Sequence, residues 1–366
     1  MPACKITKAK ETMTARERVR RTFNYEKTDR VTIGYEANEL IHRRLLAELG
    51  VGETELYPAL GVDYCGLSPR YAGKPLFSEA PGLRTDETDG FRTRWIENQS
   101  GGGYWDFCCF PLQGADDRAI MEYPVANPDD FDYAGIAEQI GRYRDFALCI
   151  GHPGVADVIN SMGRIMGMED VLCNLQLGHE PTLALIRRRA DSSLGVLDRI
   201  LSKHVEDIDF MWLGEDLGTQ IAPMVSLELY RRHIKPIHKM FIDLAKSYGI
   251  PAMMHTCGSS SWAYEDFIEM GVRGVDTLQP EAANMSPKYL KEHFGGRLAF
   301  RGCISTAGPL AYGTAEDTRA VCRETMEIMM EGGGYHFAPT HAIQDNSPVE
   351  NVVAMYQAAH DFGAYA

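Results

Sequence analysis

A histidine and a cysteine two residues apart give the sharpest chemical signal in the chain. They stand in His255-Thr-Cys257-Gly258, directly after the apolar residues 250–254. Residues i and i+2 of an extended segment point to the same side, so this imidazole and thiolate can bind one metal ion. A nitrogen and a sulfur donor favour zinc. The motif therefore predicts a zinc site, against the alternative of a buried thiol beside a core histidine.

A catalytic zinc ion needs a third protein ligand and one position open for substrate. His341 is the first choice and Cys303 the second. Glu215 and Asp216 follow the apolar residues 208–213 and offer oxygen donors that bind or leave as substrate arrives. These two carboxylates are also the candidates to supply a proton or orient the substrate. The alternative for the acidic pair is a solvated turn.

Other polar residues also follow apolar runs and are predicted to contact the substrate. These candidates are Tyr35, Gln220, Gln279, Cys303 and Gln344. In a (β/α)₈ barrel the active site lies at the carboxyl ends of the strands, where such residues would meet.

The spacing of the apolar runs predicts that architecture. Short apolar strands alternate with helices of ten to twenty residues, which is typical of parallel βαβ units. The predicted strands are residues 31–35, 146–150, 208–213, 250–255, 274–278, 298–301 and 335–338, with one more from residues 60–125. Eight strands close a barrel, and a doubly wound open sheet is the alternative. We expect one domain over residues 1–366, in which residues 60–125 form a β-rich insertion at the barrel mouth.

Composition excludes several classes of function. The net charge of −14 and the scattered basic residues argue against nucleic acid as a partner. No apolar run approaches the roughly 20 residues that cross a bilayer, and no signal peptide is evident, so we expect no membrane association and a cytoplasmic location. Nine cysteines at irregular spacing are expected to be mostly reduced. Nucleotide-binding glycine motifs are lacking.

Several stretches carry a resemblance to the uroporphyrinogen decarboxylase superfamily over nearly the whole length. They are Met13-Thr-Ala-Arg-Glu-Arg-Val-Arg20, Trp212-Leu-Gly-Glu-Asp-Leu-Gly-Thr-Gln220, Met254-His-Thr-Cys-Gly258, Arg301-Gly-Cys-Ile-Ser-Thr306 and Gly332-Gly-Gly-Tyr-His-Phe-Ala-Pro-Thr-His-Ala-Ile-Gln344. The chain is most similar to the branch that methylates coenzyme M from a corrinoid protein. The porphyrin decarboxylases instead have an arginine-rich segment where this chain has Tyr35-Glu-Ala-Asn-Glu-Leu40.

The resemblance implies a zinc-dependent methyltransferase. In the coenzyme M branch a His-x-Cys and a later cysteine bind zinc; His255 and Cys257 match the first two, and His341 stands in place of the later cysteine. The corrinoid (cobalamin) is expected on a separate protein, because the chain has no Asp-x-His-x-x-Gly motif. The small-molecule partner is a methyl donor or acceptor, either a methyl ether or a thiol, and O-demethylation is slightly favoured.

Two other functions remain open at this point. One is a metal-independent decarboxylase or lyase that acts on a carboxylated substrate through Asp216 and His341. The other is a non-catalytic barrel that only binds a ligand. Barrel enzymes often dimerise, so a homodimer is also compatible with the sequence.

Overall fold

Eight parallel strands form a (β/α)₈ barrel in the computed structural model, which describes residues 5–97 and 102–365. We number them β1 to β8 in chain order: Thr32–Ile33, Tyr64–Leu67, Ala147–Gly151, Phe210–Gly214, Ala252–His255, Gly274–Leu278, Ala299–Ile304 and Tyr335–Pro339. From β2 to β8 each strand pairs with its neighbours in sequence, and β8 also pairs with β1 through Thr32 and His336. The predicted barrel is confirmed and the open sheet is wrong.

The seam between β1 and β2 is closed by single contacts. The backbone N–H of Asp63 donates to the carbonyl of Ile33 over 2.9 Å. In return the Asp63 carboxylate accepts from the Ile33 N–H over 2.7 Å. The same carboxylate is held by Arg18 and Arg30, and all three charged side chains are buried.

Helices surround the barrel and separate its strands. The α-helices are Ala15–Phe23, Glu39–Leu49, Glu53–Leu60, Asp117–Met121, Ala134–Arg142, Ile159–Met166, Met168–Leu177, Glu180–His204, Leu227–Leu229, Lys235–Ser247, Tyr264–Met270, Pro287–Phe294, Pro309–Tyr312, Ala315–Met329 and Val349–Phe362. A π-helical segment, Tyr230–Ile234, precedes Lys235–Ser247, and short 3₁₀ turns occur at Pro128–Asp130, Val205–Asp207 and Ser261–Ala263. Among the described residues, none of these helices is long and apolar enough to cross a membrane.

The first helix closes the amino-terminal end of the barrel. Thr14 caps it by accepting from the Glu17 N–H over 3.1 Å. Val19 and Phe23 are buried, and the Phe23 ring lies 5.1 Å from that of Phe210 in β4. With this end plugged by apolar side chains, the carboxyl end is the one that can hold a site.

The segment between β2 and β3 contains most of the remaining strands. Arg84–Thr85, Arg92–Glu97 and Gly103–Cys108 form an antiparallel sheet, and Arg70–Tyr71 pairs with Phe131–Asp132. The predicted β-rich character of this segment is confirmed, and β2 itself is the barrel strand expected within residues 60–125.

Candidate metal centre

Two neighbouring strands bring an imidazole, a thiol and a carboxylate together at the carboxyl end of the barrel. Asp216 lies two residues beyond β4, His255 ends β5, and Cys257 follows two residues later. One ligand atom from each lies within 4.8 Å of the other two. His255 Nε2 is 3.6 Å from Cys257 Sγ and 3.9 Å from Asp216 Oδ1. The parallel register of the two strands, in which His255 pairs with Gly214, produces this proximity.

The His255 ring is oriented by its other nitrogen. Nδ1 lies 2.8 Å from Asp276 Oδ2 and 2.6 Å from Thr277 Oγ1. Because an ionised carboxylate only accepts, Nδ1 carries a proton, and Nε2 faces Cys257 and Asp216. Burial alone would lower the pKa of His255, but the hydrogen bond and charge of Asp276 raise it above its ordinary value.

Asp276 is itself fixed by a buried arginine. Arg301 donates to Asp276 Oδ1, and the Trp212 Nε1–H donates to Oδ2 over 3.1 Å. The Arg301 guanidinium lies 4.6 Å from the Trp212 ring centre and donates to the Tyr64 hydroxyl over 2.5 Å. Burial would raise the pKa of Asp276, but Arg301 and His255 hold it well below its usual range. The carboxylate is therefore ionised and can hold the imidazole in one tautomer.

A strained backbone position lets two consecutive residues reach the same histidine. Side chains normally alternate between the faces of a strand. Thr277 has φ +63°, in the left-handed region, where the ladder between β6 and β7 shifts register. This break in alternation directs both Asp276 and Thr277 to the imidazole, and such strain concentrates at functional sites.

The Asp216 carboxylate bridges the loop after β5 and the helix Ile159–Met166. Oδ1 accepts from the Cys257 N–H over 2.9 Å, and Oδ2 accepts from Asn160 Nδ2 over 2.8 Å. Burial would raise the pKa of Asp216, but His255 and these two hydrogen bonds lower it below its ordinary value. Asp216 is thus an anionic oxygen donor beside the imidazole.

The donor set fits zinc. Burial and the charge of Asp216 raise the pKa of the Cys257 thiol, so a nearby cation is what would ionise it. One nitrogen, one sulfur and one oxygen ligand with a fourth position free is the pattern of catalytic zinc sites. The Asp276 contact to His255 is the outer-shell partner that such ligands require.

Glu215 and His341 lie outside this group of three. Glu215 is buried, and its two carboxylate oxygens accept from the N–H groups of Val158 and Ile159 over 2.8 and 3.0 Å. Its carboxyl therefore anchors the start of helix Ile159–Met166 rather than facing His255. His341 is exposed in the loop after β8. Within the part of the chain that the structure describes, the third potential ligand beside His255 and Cys257 is Asp216.

One predicted substrate contact touches the ligand loop directly. Gln279 Oε1 accepts from the Gly258 N–H over 2.6 Å, which fixes the loop that carries Cys257. Gln220 is exposed near the same loop, and its carbonyl accepts from the Ala283 N–H over 2.9 Å.

The other predicted contacts have the following surroundings. The Tyr35 hydroxyl is 2.8 Å from His42 Nδ1, and burial raises the pKa of Tyr35. Cys303 is buried in β7 with φ +66°. Gln344 donates to the carbonyl of Ala342 over 2.6 Å.

Sequence reasoning missed Asp276, Arg301 and Asn160. Asp276 and Arg301 lie within apolar strands, whereas functional residues were expected after the ends of the strands. The available signal was their charge, because a charged residue inside an apolar strand is seldom buried without a partner. Asn160 gives no comparable signal.

Comparisons with known proteins agree with this architecture. Residues 215–362 match the family model of uroporphyrinogen decarboxylase (URO-D). A methyltransferase from Methanosarcina mazei superimposes with a TM-score of 0.63 at 16% identity, covering 96% of this chain and 100% of that chain. This similarity shows the fold. Xylanase 10B from Thermotoga maritima gives only 0.43 at 9% identity, covering 95% of this chain and 98% of its own, and supports no further argument.

The comparison with curated protein sequences gave no match. The family match includes Asp216, His255 and Cys257, the three potential metal ligands. Over residues 215–362, which contain β5 to β8 of the barrel, the chain is thus similar to the uroporphyrinogen decarboxylase family.

Proposed function

We propose that the chain is a zinc-dependent methyltransferase that moves a methyl group between a small substrate and a separate corrinoid protein. The observation that carries this proposal is the convergence of Asp216, His255 and Cys257 at the barrel mouth. The barrel shared with a methyltransferase supports it at the level of fold. We also propose that residues 1–366 form one domain.

Zinc would be held by His255 Nε2, Cys257 Sγ and an oxygen of Asp216. When bound it supplies Lewis acidity, which makes a methyl ether oxygen a better leaving group or lowers the pKa of an acceptor thiol. The residues of the chain hold the ligands: Asp276 and Arg301 keep the imidazole in place, and Asn160 orients Asp216.

We also propose roles for several side chains in proton transfer and in substrate binding. Asp216, which lies beside His255 and Cys257, is the better placed of the two carboxylates to orient substrate. Glu215 would act indirectly, through the loop that it anchors. Tyr35, Gln220, Gln279, Cys303 and Gln344 remain the proposed substrate contacts, with Gln279 also supporting the ligand loop.

Metal analysis of purified protein tests the proposal. We expect about one zinc per chain in the wild type and its loss in Cys257→Ser and Asp216→Ala. His341→Ala should retain zinc because that side chain lies outside the group. Cys173→Ser, which changes an exposed free cysteine, is the matched control and should also retain zinc.

Two results would change the proposal in different ways. Loss of zinc in His341→Ala but not in Asp216→Ala would restore His341 as the third ligand. A wild type without zinc, even after growth with added zinc, would contradict the metal mechanism and favour the decarboxylase alternative. With zinc present, transfer of methyl from methyl ethers to a cobalt(I) corrinoid is the activity to assay.

A further inference from the structure

A partly open cavity of about 470 Å³ lies beside the barrel wall, and none of the three potential ligands lines it. Helices Ile159–Met166 and Glu180–His204 form two of its sides, and the ends of β2 and β3 contribute Leu67 and Gly151. The volume is within the range of small-molecule sites.

A single loop separates the cavity from the candidate metal centre. Residues of the loop 152–158 line the cavity. The same loop is bonded to the end of β4, where the Gly214 N–H donates to the Val155 carbonyl over 2.8 Å. An alanine at Gly214 would place Cβ 1.9 Å from the Pro153 carbonyl oxygen, so loop and strand are in tight contact.

The cavity contains two arginines with different surroundings. Arg189 is partnered: Nη1 lies 3.2 Å from an Asp89 carboxylate oxygen, and Nη2 donates to Ser161 Oγ over 2.9 Å. Arg164 is only partly exposed and contacts the face of Phe107, with its guanidinium carbon 5.1 Å from the ring centre. Among the described residues, Arg164 has no hydrogen-bond or ion-pair partner.

Two other carboxyl groups line the same cavity, Asp86 and Asp89, and Asp89 is the ion-pair partner of Arg189. Burial and the neighbouring Glu215 raise the pKa of Asp157 well above its ordinary value, which disfavours its charged form. Burial and Arg164 lower the pKa of His152, which favours its neutral form. Arg164 is thus a partly buried cation with no direct partner among the described residues, and an anion bound to it would supply one.

About half of the lining surface is apolar, with contributions from Leu67, Phe91, Met162, Ile186 and Phe241. We propose that the cavity binds a small organic carboxylate, with its carboxylate on Arg164 and its apolar body against these side chains. Guanidinium and carboxylate match in a bidentate geometry, which gives the pair its specificity. The inference goes beyond the proposed methyl transfer and does not depend on a metal.

Calorimetric titration with benzoate, 3-phenylpropionate and octanoate, each beside its uncharged amide, tests the assignment. We expect at least one carboxylate to bind wild type tenfold or more tightly than its amide. Arg164→Gln should reduce that ratio to within twofold, whereas Arg164→Lys should retain a preference for the carboxylate. Arg187→Gln, on the exposed side of the same helix as Arg189, should behave as wild type.

The outcomes separate this inference from the metal proposal. If no carboxylate binds the wild type, or if folded Arg164→Gln keeps the tenfold ratio, the inference is wrong. Repeating the titration with His255→Ala locates the ligand: preserved binding agrees with the cavity, and lost binding would assign the ligand to the metal centre. A wild type that binds the carboxylate but contains no zinc would support the cavity site. The same result would contradict the metal mechanism.

Discussion

Glu215 and Asp216 are adjacent carboxyl residues in opposite electrostatic environments. Burial raises the pKa of Glu215 to about 8, against the influence of its two backbone hydrogen bonds. Asp216 has a lowered pKa because His255 and two hydrogen bonds outweigh its burial. Two residues that differ by one methylene thus have separate tasks, one holding a loop and the other presenting an anion to the site.

The raised pKa of Glu215 predicts that stability falls as pH rises. The folded chain keeps a proton that the unfolded chain loses near the ordinary pKa of 4.5, so this contribution is full below pH 4.5 and is lost as pH approaches about 8. Each pH unit in that window costs about 1.4 kcal/mol of unfolding free energy. Urea unfolding at pH 5.5 and 7.5 should show a shallower decline for Glu215→Gln than for wild type; equal declines would contradict the assignment.

Two glycines allow the loops after β4 and β5, which carry the potential metal ligands, to come into contact. A Cβ at Gly218 would lie 2.4 Å from the Ser259 nitrogen. Gly258 has φ +71°, and a Cβ there would lie 2.2 Å from the Gly218 carbonyl oxygen. The loops after β4 and β5 can therefore approach closely only because neither residue has a side chain.

Gly218→Ala should push these two loops apart. We expect a loss of about 1–3 kcal/mol in unfolding free energy, typical of overpacking, and at least a tenfold weaker affinity for zinc. Gly141→Ala is the control, because nothing lies within 4 Å of its added Cβ and the position is helical. It should leave zinc affinity unchanged and raise stability by about 0.5–1 kcal/mol. Unaltered zinc affinity in Gly218→Ala would show that loop contact does not set the site.

The elements could be predicted from sequence better than the connections between them. Apolar runs located the ends of the strands to within about three residues, because a buried parallel strand must be apolar. The rule that barrel sites follow strands found His255, Cys257 and Asp216. The place of His341 could not be predicted, since the path of the loop after β8 depends on local turns. Similarly, no sequence pattern indicated that the π-helical segment Tyr230–Ile234 would precede helix Lys235–Ser247.

The barrel has one pair of neighbouring strands, β1 and β2, that no backbone ladder joins. Eight strands are linked by ladders except between β1 and β2, where Asp63 provides the contacts described above. The buried Asp63 carboxylate, which binds two arginines and a backbone N–H, thus helps to join β1 to β2. The other neighbouring strands are joined by backbone hydrogen bonds. This cluster lies at the amino-terminal end, opposite the candidate metal centre.

Asp63→Asn should destabilise the fold without affecting the site. Removing one charge leaves Arg18 and Arg30 buried without full compensation, so we expect a loss of about 3–5 kcal/mol in unfolding free energy. Zinc content should equal that of wild type. Asp191→Asn breaks an exposed helix pair with Arg187 and should change stability by about 0.5 kcal/mol or less. A concurrent loss of zinc in Asp63→Asn would mean that the two ends are coupled.

The pairing of β1 with β8 has a consequence for the order in which the chain is synthesised. Thr32 leaves the ribosome long before His336, the residue opposite it, so β1 has no ladder partner until translation is nearly finished. The strands that carry Asp216, His255 and Asp276 pair with immediate neighbours instead. A nascent chain can therefore pair the strands that carry the ligand loops before the barrel closes. The pairing of β1 with β8 then comes late, because β8 is synthesised last.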